Sequence, residues 1–129
     1  MNNPEHLRYS AEHEWVAVAD GIATVGITDH AQEELGDIVF VELPAVGATV
    51  TKSKPLGVVE SVKAVSDVFA PVSGTVTEVN GTLTGSPEII NQDPYGAGWI
   101  MRIRPDDKRQ FSALLDAAAY EAALAAETH

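Results

Sequence analysis

Short runs rich in β-branched and aromatic residues, each closed by a turn signal, follow one another along most of this chain, at residues 14–18, 22–27, 38–43, 56–60, 64–69, 74–79 and 99–104. Asp20-Gly21, Pro44, Gly47, Pro55, Pro71 and Asn80-Gly81 separate them. Strands this short bury one face each and must close on one another, so the pattern predicts a mainly β fold, a flattened barrel or sandwich. Asp20-Gly21 between two such runs is a hairpin signal, because both central residues of a type I′ turn take positive φ. Thr28 reads as the cap of a short internal helix over 29–35, stopped at Gly36. The stretch 82–98, dense in Gly and Pro, reads as a long connection of the kind that is either functional or ordered by packing. From about 106 to 126 the period changes. Phe111, Leu114, Leu115, Ala118 and Ala122 recur at helical spacing behind Pro105 and a candidate cap, Asp106, and predict an amphipathic C-terminal helix packed on the sheets.

At 129 residues the chain fits one domain, 1–129. Its formal charge of −11 excludes sequence-independent nucleic-acid binding and docking on anionic lipid, both of which need clustered Lys and Arg. Cysteine is absent, which removes disulfides, thiolate metal sites and cysteine nucleophiles. No apolar run reaches the roughly 18 residues of a membrane span, and the opening Met1-Asn2-Asn3-Pro4-Glu5-His6 has neither a signal-peptide core nor an Arg-rich transit pattern. A cytoplasmic location is the expectation.

Catalytic motifs are missing. His13-Glu14-Trp15-Val16-Ala17 begins like a zinc-protease helix but has alanine where the second histidine belongs, and neither G-x-S-x-G nor a phosphate-binding glycine loop occurs. Carboxylates such as Glu60, Asp67 and Glu78 could carry acid–base chemistry, although in so acidic a chain they read first as a solvated face. The lysines are few, and Lys63 stands out because it falls between two strand-like runs in Glu60-Ser61-Val62-Lys63-Ala64-Val65-Ser66-Asp67. If those runs pair, Lys63 sits at the turn, where another enzyme can acylate it without unfolding a strand. The local pattern alone favours the blander reading, an edge-strand lysine that discourages aggregation, and Lys52 and Lys54 fit it just as well.

The segment Glu60-Ser61-Val62-Lys63-Ala64 with Ser66-Asp67 resembles the lipoylation site of the glycine cleavage system H-protein family. So do His13-Glu14-Trp15, Gly26-Ile27-Thr28-Asp29-His30-Ala31-Gln32, the run from Leu35 to Pro44, and Ala70-Pro71-Val72-Ser73-Gly74. Val79-Asn80, Pro94-Tyr95 and Gly98-Trp99 follow in order. The resemblance implies a lipoyl- or biotinyl-carrier-like barrel with lipoate in amide linkage to Lys63, and it implies a carrier rather than an enzyme. In that family the arm collects an aminomethyl group from a pyridoxal-phosphate glycine decarboxylase and presents it to a tetrahydrofolate-dependent aminomethyltransferase. It then returns electrons to dihydrolipoyl dehydrogenase, having been charged at the outset by a lipoate ligase or a lipoyl/octanoyl transferase. Glu60, Ser61, Val62, Ala64 and Asp67 are the implied recognition residues around the attachment point, although Glu60 and Asp67 equally keep a hairpin tip soluble. Glu14 occupies the place of a glutamate that lines the arm cleft in the family, and equally reads as a strand-surface acid. Glu34 is the second implied arm-cleft residue, at a position where family members often carry histidine.

Three other readings share part of this pattern. A biotin carrier would place methionine on both sides of the lysine, where this chain has Val62 and Ala64; a lipoyl domain of a 2-oxoacid dehydrogenase would favour an aspartate before it. A donor of lipoyl groups to other complexes is not distinguished by these residues. Trp15, Phe40, Phe69 and Trp99 are read as core.

Overall fold

The computed structural model describes residues 2–127. Strands β1 (Arg8–Tyr9), β2 (Glu14–Ala19) and β3 (Ile22–Ile27) lead into helix α1 (Asp29–Leu35), followed by β4 (Ile38–Glu42), β5 (Thr49–Val50), β6 (Pro55–Ser61), β7 (Val65–Phe69) and β8 (Gly74–Val79). Two single-turn helices, α2 (Thr82–Gly85) and α3 (Ile89–Gln92), precede β9 (Met101–Pro105), α4 (Lys108–Ser112) and α5 (Ala117–Glu127). The strands form two antiparallel sheets, β1-β2-β3-β9-β8-β5 and β4-β6-β7. This is the mainly β barrel-sandwich that the strand spacing predicts. Val16, Val25, Val41, Val59, Val68, Val76 and Ile103 fill the space between the sheets; a fully buried Val or Ile contributes about 1.5–3 kcal/mol.

Local chemistry explains the elements. Asp20 and Gly21 take φ of 53° and 78°, as the hairpin between β2 and β3 requires. Thr28 Oγ1 accepts from the Ala31 amide at 3.2 Å, and Gly36 closes α1 at φ 79°. The 82–98 connection is ordered by α2, α3 and Asn80, whose side-chain amide donates to the carbonyls of Ala97 and Trp99. Gly26 makes room for Trp15: a Cβ there would fall 2.5 Å from the indole Nε1, which donates to the Pro94 carbonyl at 2.9 Å.

Two expectations are corrected. The C-terminal segment is two helices, broken over residues 113–116, and its first helix is capped by Asp107 rather than Asp106. Leu115 leaves the helix to exchange both backbone hydrogen bonds with Tyr9, at 2.8 Å each. That pairing satisfies amide groups at the otherwise open edge of β1, which outweighs one more turn of helix. As a result α5 buries Ala117 and Tyr120, with Tyr120 stacked on Tyr9 at 4.7 Å, and leaves Ala118 and Ala122 outside. Phe40 is the second correction. It is 50% exposed, because Ile38 and Val41 take the inward positions of β4 on either side of a bulge.

Candidate functional site

Lys63 lies where β6 turns into β7. Glu60 and Val65 are the last paired residues, and the Ser61 amide donates to the Ala64 carbonyl at 2.8 Å, leaving Val62 and Lys63 to form the tip. Ser61 organises that tip. Its buried hydroxyl accepts from the amides of Ala64 (3.0 Å) and Lys63 (3.3 Å), the local bonding by which a serine fixes a turn. The Val62 amide donates to the Asp37 carbonyl at 3.1 Å and so ties the tip to the segment after α1. Asn91, on α3, braces that segment. Its carboxamide oxygen accepts from the Ile38 amide at 2.9 Å, while its nitrogen donates to the Gly36 carbonyl at 2.9 Å and to Gln32 Oε1 at 3.0 Å.

The lysine stem runs close to the end of α1, for a Cβ on Gly36 would meet Lys63 Cε at 3.5 Å. Lys63 is exposed, and among the described residues no ion pair joins it to an acid. Glu60 is half-buried on β6 and Asp67 exposed on β7. Val62 and Val65, 77% and 67% exposed, bracket the lysine, and Phe40 stands beside Glu60 in the row that Val65 continues. Apolar side chains grouped in water around one exposed lysine have the character of a contact surface.

A groove of about 370 Å³ opens next to Leu35 and is lined by Glu12, His13, His30, Ala31, Glu34 and Leu35, with Ser66 and Glu127 completing the wall. Of the two acids the sequence points to at the arm cleft, Glu34 lies on this wall, its carboxylate 3.8 Å from His30 Nε2. Glu14 is turned inward and only 2% exposed. It accepts from the Ser10 hydroxyl and, through Oε2, from the Phe69 amide at 3.2 Å, so it fastens the end of β7 to the start of β2 from beneath. Burial pushes its carboxyl up to about 8, against the opposing pull of those two hydrogen bonds.

The histidines are the part of this region that sequence reasoning passed over. His13 occupies the turn between β1 and β2 at φ 72°, and its ring lies 4.7 Å from that of His30 in the first turn of α1. His13 Nδ1 is 2.7 Å from the Tyr120 hydroxyl, which is 2.8 Å from Thr28 Oγ1. Burial lowers His13 from the usual imidazole range, with Glu127 opposing that shift and His30 reinforcing it. Burial also raises the Tyr120 phenol to about 12, which keeps it a hydrogen-bond donor at neutral pH. No spacing in the sequence joins His13, His30, Asn91 and Glu127. A hairpin, a helix and the returning C-terminus bring them together.

Comparison with known proteins agrees with this geometry. The family model described as Glycine cleavage H-protein matches residues 7–127. The Glycine cleavage system H protein of Escherichia coli O7:K1 is 57% identical over 124 residues, spanning 95% of this chain and 96% of that protein. The protein of the same description from Halorhodospira halophila is 58% identical over 125 residues, 96% of each. A crystal structure of a glycine cleavage system H protein from Mycobacterium marinum superposes with a TM-score of 0.89 at 43% identity, covering 95% of this chain and 99% of that one. A tip built from Glu60-Ser61-Val62-Lys63-Ala64, set on this barrel and matched over nearly its whole length, shows that the chain belongs to the glycine cleavage H-protein family.

Proposed function

We propose that Lys63 bears lipoate in amide linkage and that the chain is a cytoplasmic carrier, a substrate shared by enzymes rather than a catalyst. The observation that carries this reading is an exposed lysine at the tip of a hairpin whose turn is held by Ser61, while among the described residues the amine is in no ion pair. Acyl transfer to lysine needs an approachable amine, and this placement supplies the approach. Lipoate held on Lys63 would supply a redox-active dithiolane on a long tether, able to carry a one-carbon amine unit between enzymes. The chain's own residues do the rest. Ser61, Asp37 and Asn91 fix the direction in which the arm leaves the surface. Val62, Val65 and Phe40 give partner enzymes an apolar rim to dock on, flanked by Glu60 and Asp67. The absence of cysteine keeps protein thiols from competing for the cargo.

The partners follow from the family: a pyridoxal-phosphate glycine decarboxylase, a tetrahydrofolate-dependent aminomethyltransferase and dihydrolipoyl dehydrogenase, with a lipoate ligase or lipoyl/octanoyl transferase for attachment. An acidic body suits brief docking on basic patches of several such partners, since complementary charge mainly raises association rates. Acylation of Lys63 makes the body one unit more negative. A tether of adequate reach turns each encounter into a local search.

The test is attachment. With lipoate, ATP and a lipoate ligase, the wild-type chain gains one lipoyl increment by intact-mass spectrometry, and Lys52→Arg and Lys54→Arg behave like it. Biotin with a biotin ligase adds nothing. A biotin adduct, or a lipoyl increment on Lys52 or Lys54, overturns the assignment.

The groove beside Leu35 could receive the loaded arm between transfers, with Glu34 on its wall as the carboxylate to pair with an ammonium group. Glu34→Ala is expected to speed loss of ammonia from the aminomethyl-loaded carrier several-fold; an unchanged rate removes Glu34 from that role.

A further inference from the structure

We propose that the groove wall formed by His13, His30 and Glu127 is a binding site for a divalent transition-metal ion, Zn²⁺ above all, with these three side chains as ligands. The donor atoms of these three side chains lie within 4.8 Å of one another, and His13 Nε2 is 3.4 Å from Glu127 Oε2. Tetrahedral zinc, with bonds of about 2.0–2.1 Å to nitrogen and oxygen, sets neighbouring ligand atoms roughly 3.3 Å apart. One pair already has that separation. The rest is within reach of side-chain rotation, for Glu127 stands exposed at the end of α5 and both imidazoles border the open groove.

The donor set chooses the class of ion. Two imidazoles and a carboxylate suit zinc and its borderline neighbours, whereas calcium and magnesium take oxygen ligands. A fourth position is left for water or for Glu34, whose Oε1 is 3.8 Å from His30 Nε2. Glu12 and Glu34 add negative charge to the wall, and among the described residues no Lys or Arg lines it.

The surroundings of His13 have the form of a ligand's support. When Nδ1–H donates to the Tyr120 oxygen at 2.7 Å and Tyr120 donates on to Thr28 Oγ1 at 2.8 Å, the ring is locked with the lone pair of Nε2 turned toward Glu127. Metal-bound imidazoles are held by such bonds at their other nitrogen. In that arrangement two acceptors face each other across 3.4 Å, and a cation between them resolves the contact. The rival arrangement has Tyr120 donating to Nδ1 and Nε2–H donating to Glu127; it needs no ion and predicts no specific affinity. The ligands come from the β1–β2 turn, α1 and the end of α5, so an ion bound there pins the C-terminal helix over the groove.

The site shares its groove, and His13, His30 and Glu34, with the resting place proposed for the arm but does not depend on lipoylation, so its test uses the unlipoylated chain. Titration calorimetry with Zn²⁺ in a non-coordinating buffer is expected to show one ion per chain with a micromolar or tighter dissociation constant, and Co²⁺ absorption to report nitrogen ligation. His30→Ala and Glu127→Gln should each weaken binding about tenfold or more. Glu127→Gln changes only an exposed helix end, so its effect does not depend on refolding. His6→Ala should bind as the wild type does. Affinity no better than millimolar, wild-type binding by both ligand variants, or loss of binding in His6→Ala would each overturn the site.

Discussion

Replacing Lys63 by arginine is expected to abolish carrier function while leaving the fold untouched. In a mixture of pyridoxal-phosphate decarboxylase, aminomethyltransferase with tetrahydrofolate, dihydrolipoyl dehydrogenase and NAD⁺, glycine-dependent NADH formation should fall to the level seen with no carrier added. Arginine keeps the positive charge and the long stem, but its guanidinium stays protonated and offers no amine to acylate. Lys63 is exposed and outside every described ion pair, so the stability change should lie within about ±0.5 kcal/mol. Unchanged unfolding with absent turnover separates loss of the arm from loss of the scaffold. Turnover at the wild-type rate would show that the cargo travels elsewhere.

The second large effect concerns Glu14 and pH. Its folded-state carboxyl is raised from 4.5 to about 8 by burial, so the folded chain holds this proton more tightly than the unfolded chain does. For a raised acid the stabilisation is complete below the unfolded value and disappears as pH climbs through the folded one. Stability should therefore decline between about pH 4.5 and 8, by roughly 3–5 kcal/mol if the whole shift is expressed. Glu14→Gln keeps the shape and polarity of the protonated acid and has nothing to ionise. Urea unfolding should give wild type and Glu14→Gln similar midpoints near pH 4, then a wild-type midpoint that falls progressively away from the variant's up to pH 8.5. Taking the difference between the two chains cancels the self-repulsion of the other acids. Parallel curves would mean that Glu14 ionises without penalty.

Much of the scaffold was readable locally because its causes are local. Asp20-Gly21 made its hairpin, Thr28 and Gly36 bounded α1, and the β-rich runs became strands because each obeys a rule written in adjacent residues. The two-residue strands β1 and β5 were invisible, since pairs so short exist only where a neighbour supplies hydrogen bonds. The C-terminal period was real but misplaced the buried face. Helical spacing alone offers Leu114, Leu115, Ala118 and Ala122 as one stripe, whereas the edge of β1 takes Leu115 out of the helix and re-phases α5. Phe40 went astray for a related reason, because the β4 bulge decides which side of the sheet it meets.

The sequence by itself determined the strand content, the first hairpin, the capped helix and a lysine between two strands, since turns, caps and alternation act over a few bonds. Tertiary structure alone decided what surrounds that lysine. It drew His13, His30, Glu34 and Glu127 around one groove, set Asn91 beneath the tip, and turned Glu14 from an apparent surface acid into a buried one with a displaced titration. Those outcomes depend on which distant segments share a volume, and close packing of two twisted sheets settles that only when the whole chain has folded.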